Sequence, residues 1–229
     1  MLNATLKNLY YRFTESKAGA YLLNKKFSIR YSDAAAYWEK RYRKNGNSGD
    51  GSYGKAAIYK ASIINHFIQE NEIESVVEFG CGDGNQLKQY HIKNYTGYDV
   101  APSSISKCKS SFKNDTGKSF ELYKPFSYKC PPYPAAELAL SIDVIYHLVE
   151  DKVYRLYMQH LFESSSRYVI IYAWDQEAIQ NQHVKHREFS TWIKEHQPGW
   201  KLVQLITSKP SEAYCDFFMY EKFTPGNAE

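Results

Sequence analysis

The sequence predicts an α/β fold: a three-layer, seven-stranded sheet, mostly parallel with an antiparallel last strand, preceded by a helical N-terminal lid. Three observations predict it. From Ser75 onward, strand-like runs alternate with helix-length segments, the pattern of βαβ units whose parallel sheet is covered on both faces. The last two strand-like runs, Lys201–Thr207 and Tyr214–Lys222, are joined by only about six residues. That is too short for a crossover helix, so they pair as an antiparallel hairpin. Finally, Val76–Phe79 runs straight into Gly80-Cys81-Gly82-Asp83-Gly84, a strand that turns at once toward a ligand or a helix.

The elements follow in order. Ser32 reads as the cap of a helix over Ala34–Lys44, which carries Tyr37, Trp38, Arg41 and Tyr42. Residues 45–52 hold three glycines and form a loop. A helix over Lys55–Asn71 sets Ile64, Phe67 and Ile68 at i, i+3 and i+4, giving one apolar stripe. Ser75–Phe79 is the first strand, Asn85–His91 a helix, Tyr95–Asp99 the second strand, Pro102–Phe112 a helix and Ser119–Lys124 a weak third strand. Glu137–Ile142 is the fourth strand, followed by a helix over Asp151–Ser164, and Arg167–Ala173 is the fifth and most apolar. Ser190 caps a helix over Thr191–His196, and the hairpin closes the chain. Residues 1–54 are thus read as the lid and residues 55–229 as the ligand-binding domain.

Composition narrows the function. With 229 residues and 43% apolar content, the chain is too apolar for disorder and can bury roughly 70% of its unfolded surface. The 29 basic and 25 acidic residues leave a net charge of +4, with no run of five bases. Nucleic acid and anionic membrane surfaces are therefore not the expected partners. Tyr168–Trp174, the longest strongly apolar run, is far below the ~20 residues of a membrane helix. Met1–Phe13 lacks an apolar stretch of signal-peptide length, and Cys81, Cys108, Cys130 and Cys215 form no CxxC pair. The expectation is a reduced, cytoplasmic protein without a metal site. The 21 tyrosines supply ring faces and hydroxyls, suited to polar ring-bearing ligands and to a homodimer interface.

The chemistry centres on the glycine-rich turn. Gly80, Gly82 and Gly84 lack the Cβ that would block a close backbone approach. Their G-x-G-x-G spacing differs from the G-x-G-x-x-G that seats a pyrophosphate. Glu78, two residues earlier, would repel a pyrophosphate and attract a cationic ligand. Asp99 ends the second strand, where an acid can accept both hydroxyls of a ribose. The alternatives are a plain strand-to-helix turn and a nicotinamide-nucleotide site.

These residues, with the closing hairpin, resemble the class I S-adenosylmethionine (SAM) dependent methyltransferases over about residues 55–222. The resemblance implies a Rossmann-like domain that binds SAM and releases S-adenosylhomocysteine (SAH). It implies that Gly80, Gly82 and Gly84 line the methionine part, with Glu78 supporting the turn and Cys81 and Asp83 contributing backbone atoms. Asp99 would hold the ribose, Val100 would flank the adenine, and Ser141 would face the methionine end or the methyl. The family's adenine-binding acid after strand three has no counterpart in Phe120–Phe126, which leaves backbone or an aromatic such as Phe126. Cys130-Pro131-Pro132-Tyr133 looks like the (N/D)PPY motif of nucleic-acid amino-methyltransferases. It precedes the fourth strand and begins with Cys, so it reads as a rigid turn.

Three further stretches concern the acceptor. Asp143, Tyr146 and His147 follow the fourth strand on the sheet edge where open α/β sheets bind ligands. His147 is a base, a substrate contact or a structural group, with Tyr146 as a polarising partner. His183, Lys185, His186 and Arg187 form a basic group for a phosphate or carboxylate, or a solvated loop. A metal pair of His183 and His186 lacks a third ligand. Arg41, Tyr53 and Lys60 are lid-side candidates for substrate or carboxylate contacts. The reading is methyl transfer to an oxygen of a small, polar, anionic or sugar-nucleotide-like acceptor, similar to bacterial polysaccharide-pathway enzymes. A nucleic-acid methyltransferase and a non-catalytic binder are its rivals.

Overall fold

The computed structural model describes residues 34–130, 135–181, 183–208 and 215–223. Ser32 and the Pro-Pro-Tyr turn lie outside the described residues. Helix α1 (Ala34–Arg43) leads through a 3-10 turn at Asp50–Ser52 into α2 (Gly54–Glu70). Then come β1 (Ser75–Phe79), β2 (Asn94–Asp99), α3 (Pro102–Ser111), β3 (Lys118–Leu122) and β4 (Ala136–Ile142). The chain continues with α4 (Asp151–Glu163), β5 (Ser165–Ala173), β6 (Ala178–Asn181), β7 (Val184–His186), α5 (Phe189–His196), β8 (Trp200–Ile206) and β9 (Asp216–Lys222).

Seven strands form one sheet in the order β3-β2-β1-β4-β5-β9-β8. The pairs β1–β2, β2–β3, β1–β4 and β4–β5 are parallel, and β9 inserts antiparallel between β5 and β8. Side chains of β1 alternate between the two faces, so one strand feeds two cores. Val76 joins Ile64, Phe67 and Ile68 of α2 and Ile105 of α3 on one face. Val77 and Phe79 join Tyr157, Met158 and Leu161 of α4 and Ile193 of α5 on the other. Phe79 is fully buried beside Tyr98, Tyr123, Tyr128 and Tyr157, with ring centroids 5.2–5.7 Å away. Truncating such a ring typically costs about 3–5 kcal/mol, so the residue before Gly80 anchors the turn firmly.

Three sequence expectations are corrected. Asn85–His91 forms no helix, only a 3-10 turn at Leu87–Gln89. Leu87, Tyr90 and Ile92 sink into the core, while the Gln86 side-chain amide donates to Ala57 O (2.9 Å) and the His91 N–H to Asn65 Oδ1 (2.8 Å). Contacts with α2 thus satisfy groups that helical turns would have used. Ser190 is not a cap: α5 begins at Phe189, and Asp175 Oδ1 accepts the Ser190 N–H (3.0 Å). The link after β5 carries an unpredicted antiparallel hairpin, β6–β7, which includes Lys185 and His186. Among the described residues, no helix is long and apolar enough to cross a membrane.

Candidate active site

The strand order reverses direction between β1 and β4, and open α/β sheets leave a crevice beyond the carboxyl ends of such strands. Here that crevice is a cavity of about 510 Å³. The glycine turn lines it with Gly80 and Gly82, the end of β2 with Asp99 and Val100, and the segment after β3 with Leu122–Phe126. The end of β4 gives Ile142, the segment after it gives Asp143, Val144 and His147, and the N-terminal segment covers the cavity with Trp38, Tyr42, Ser48 and Ser52. A larger open groove along α2 and residues 89–93 touches none of these groups.

The three glycines have positive φ, +85°, +58° and +75°, which explains their residue type. Their Cβ space is taken by protein as well as by the cavity. A Cβ on Gly80 would stand 2.3 Å from Val144, and one on Gly82 would stand 2.2 Å from Ser48 Oγ. Gly84 lies outside the cavity, where a Cβ would meet Phe112 and Cys108. Its glycine serves the packing of α3. Cys81 turns inward against Gly97.

Asp99 is 7% exposed and binds the turn directly. Oδ2 accepts the Gly82 N–H (3.0 Å) and Oδ1 the Ala101 N–H (2.8 Å). Burial raises its pKa against the lowering effect of these bonds. Each oxygen retains a second lone pair for a ligand hydroxyl.

Asp83 acts through its carboxylate, not only its backbone. Ser48 Oγ and Tyr53 OH donate to it at 2.8 and 2.7 Å, fastening residues 44–53 onto the glycine turn. Burial would raise its pKa, but these hydrogen bonds prevail and hold it below the usual carboxylate range. Tyr53 is pushed up to about 12 by burial and by Asp83. Arg41 braces the same loop, donating from Nε to Asn47 O (2.6 Å). Glu39 accepts the N–H and hydroxyl of Ser103 at the start of α3 (2.9 and 2.7 Å). Tyr53 and Arg41 therefore hold the cover in place, and neither lines the cavity.

At the other end stands a group that sequence reasoning only brushed. Asp143 has a left-handed φ of +61°, rare outside glycine. Lys60 Nζ pairs with its Oδ2, and Tyr146 OH donates to Oδ1 (2.8 Å). Lys60 is 1% exposed and does not reach the cavity; Asp143 does. Lys60 is thus a support for Asp143 and not a direct ligand contact.

Glu78 lies beneath, accepting Tyr95 OH at 2.5 Å. Burial pushes it up to about 7, against the opposing effects of Tyr95 and Lys60. The folded chain then holds a proton that the unfolded chain releases near about 4.3. Its stabilising contribution is complete below about 4.3 and gone once pH rises above about 7. Glu78→Gln is expected to flatten that slope, gaining about 1–3 kcal/mol relative to wild type at pH 8 compared with pH 4. Urea melts at both pH values measure it; parallel slopes for the two proteins would contradict the assignment.

His147 lines the cavity, and its Nδ1–H donates to His183 O (3.0 Å). A carbonyl only accepts, so the neutral ring carries its proton on Nδ1 and leaves Nε2 as an acceptor. Burial lowers its pKa against the raising effects of the His183 carbonyl and Asp143. Ser141 is fully buried and bonds Tyr157 OH (2.8 Å) instead of facing the cavity.

The basic stretch is largely consumed by the fold. Lys185 Nζ and Arg187 both bind Asp151 (2.8 and 2.7 Å), and Arg187 also donates to Leu148 O and Val149 O. His186 is buried beside Tyr146 and Trp174, with its pKa lowered to about 4 by burial and by His147. The expected anion fork of Arg187 is therefore corrected, and His186 does not line the cavity.

Structural comparison identifies the architecture. The N-methyltransferase NodS from Bradyrhizobium japonicum WM9, in complex with SAH, superposes with a TM-score of 0.65 at 14% identity, over 83% of this chain and 99% of that one. The fold is that of the class I SAM-dependent methyltransferases. The magnesium protoporphyrin IX methyltransferase ChlM from Synechocystis PCC 6803, with bound SAH, gives 0.59 at 11% identity, over 83% of this chain and all (100%) of that one. The methyltransferase domain of bacterial CtHen1 gives 0.59 at 16% identity, over 73% and 98%. No family model matches the sequence, and no curated protein matches it.

Proposed function

We propose that the protein is a SAM-dependent methyltransferase acting on an oxygen of a small acceptor. The observation that carries this reading is the joint placement of Gly80, Gly82, Asp99 and Asp143 around one cavity at the carboxyl edge of the sheet. Tested against that cavity, SAM fits the donor set. Gly80 and Gly82 present bare backbone, and Asp99 offers lone pairs to a ribose. Val100, Leu122, Val144 and Leu148 line an apolar slot that would take the adenine, and Asp143 would accept the ammonium of the methionine. A carboxylate-lined site also suits a sulfonium better than a pyrophosphate, which argues against a nicotinamide nucleotide. The weak charge excess argues against a nucleic-acid acceptor.

When bound, SAM supplies a methyl group on a positively charged sulfur. His147 Nε2 takes the proton of the acceptor hydroxyl. The imidazolium so formed would then lose its proton to water, which returns His147 to the neutral form that its burial favours. The helix α1 and the 44–53 loop keep water from the cavity and hold the partners in line. Because burial holds His147 neutral, the rate is expected to stay level from pH 8 down to pH 6.5 and to fall only in more acid solution. An acid limb centred above 6.5 would contradict His147 as the base.

Incubation with methyl-deuterated SAM and, in parallel, a small-molecule extract and total nucleic acid tests the function. The expected product is a low-mass compound carrying the labelled methyl, formed only with the protein. Label appearing in RNA or DNA instead would favour the nucleic-acid reading. SAM bound yet never consumed would favour the non-catalytic one.

A further inference from the structure

We propose that the methyl acceptor is an uncharged aromatic hydroxyl compound, held against Trp38 with its hydroxyl at His147; this rests on the methyltransferase reading above. Two independent observations carry it. The first is the wall itself. Trp38 and His147 both line the cavity and meet edge to face, with ring centroids 5.1 Å apart. Rings stand behind them: Tyr146 lies 4.5 Å from His147, His183 stacks parallel to His147 at 6.2 Å, and Tyr37 stacks on His183 at 4.9 Å. The backing fixes the two lining rings as a rigid surface, on which a flat ring gains offset or edge contacts without ordering long side chains.

The second observation is charge. The charged side chains lining the cavity are Asp99, Asp143 and Glu150 against the single Lys124. Lys60 already offsets Asp143, Lys185 and Arg187 are engaged on Asp151, and Arg41, bonded to Asn47, lies over the Trp38 ring outside the cavity lining, which leaves Asp99 and Glu150 against Lys124 within the cavity. A phosphate or carboxylate would enter an acid-dominated cavity with little cationic compensation, an expensive desolvation. An uncharged phenol or hydroxylated heteroaromatic avoids that penalty. It still offers a hydroxyl acidic enough for a neutral imidazole to deprotonate as the methyl transfers.

The test measures two things on the same preparation. SAH affinity by calorimetry reports the underlying reading. Methyl transfer from labelled SAM to two acceptor panels, uncharged phenols and hydroxylated heteroaromatics against sugar nucleotides and phosphorylated sugars, reports the acceptor class. The expected result is transfer to the uncharged rings, with Trp38→Ala raising the acceptor KM roughly tenfold or more while SAH affinity moves far less. Trp38→Phe, which keeps a ring, is expected to retain most of the wild-type KM. Binding of SAH with transfer confined to the anionic panel, or with no uncharged ring accepted, overturns the proposal and leaves the cofactor reading standing. A folded protein that fails to bind SAH overturns both.

Discussion

Asp99→Ala should weaken SAH binding by about 100-fold or more, while leaving the chain folded at room temperature. The size follows from what the carboxylate does. It holds the Gly82 and Ala101 N–H groups, which shape the turn, and in the proposed reading it would also accept the ribose hydroxyls. Hydrogen bonds to a charged partner are worth about 1.5–3 kcal/mol each, so two lost bonds correspond to at least two decades of affinity. The buried amides also lose their acceptor, so the melting temperature should fall by several degrees. Circular dichroism beside calorimetry separates these effects. A folded Asp99→Ala protein with undiminished affinity would remove Asp99 from the ligand site.

The second large effect concerns stability. Lys60→Met should destabilise the protein by about 3–5 kcal/mol, because it leaves Asp143 without the buried cation that pairs with it. Lys60→Met combined with Asp143→Asn should recover much of that loss, since the double variant no longer strands a charge. Denaturant unfolding of the wild type, both single variants and the double variant closes the cycle. A Lys60→Met loss below about 1 kcal/mol would mean that the pair behaves like an exposed ion pair. With Asp143 released, this left-handed residue of the cavity wall should also relax, raising the SAM KM in proteins that remain folded.

The parts of the molecule governed by local pattern were readable in the sequence. Val76–Phe79 and the three glycines announced a strand running straight into a tight turn, and both are present, with positive φ at each glycine. The six-residue link between the last strand-like runs announced the antiparallel hairpin, although not that β9 would insert between β5 and β8. What escaped depended on distant partners. Asn85–His91 has helix-compatible residues, yet Gln86 and His91 bind α2 across the fold. The β6–β7 hairpin is built from two short strands with little alternation, so no periodic signal marked it. Arg187 looked free because Asp151, which neutralises it, lies 36 residues earlier. Asp143 gained its importance from Lys60, 83 residues away. Ser141 and Asp83 were placed in the right neighbourhood, but their side chains serve Tyr157 and the 44–53 loop.

The most direct measurement is a calorimetric titration of the wild-type protein with SAH, beside an identical titration with NAD. The account predicts saturable SAH binding in the micromolar range at one site per chain and no heat with NAD. A folded protein that binds NAD, or binds neither, would contradict it, because the cavity bounded by Gly80, Gly82, Asp99 and Asp143 would then serve another ligand or none.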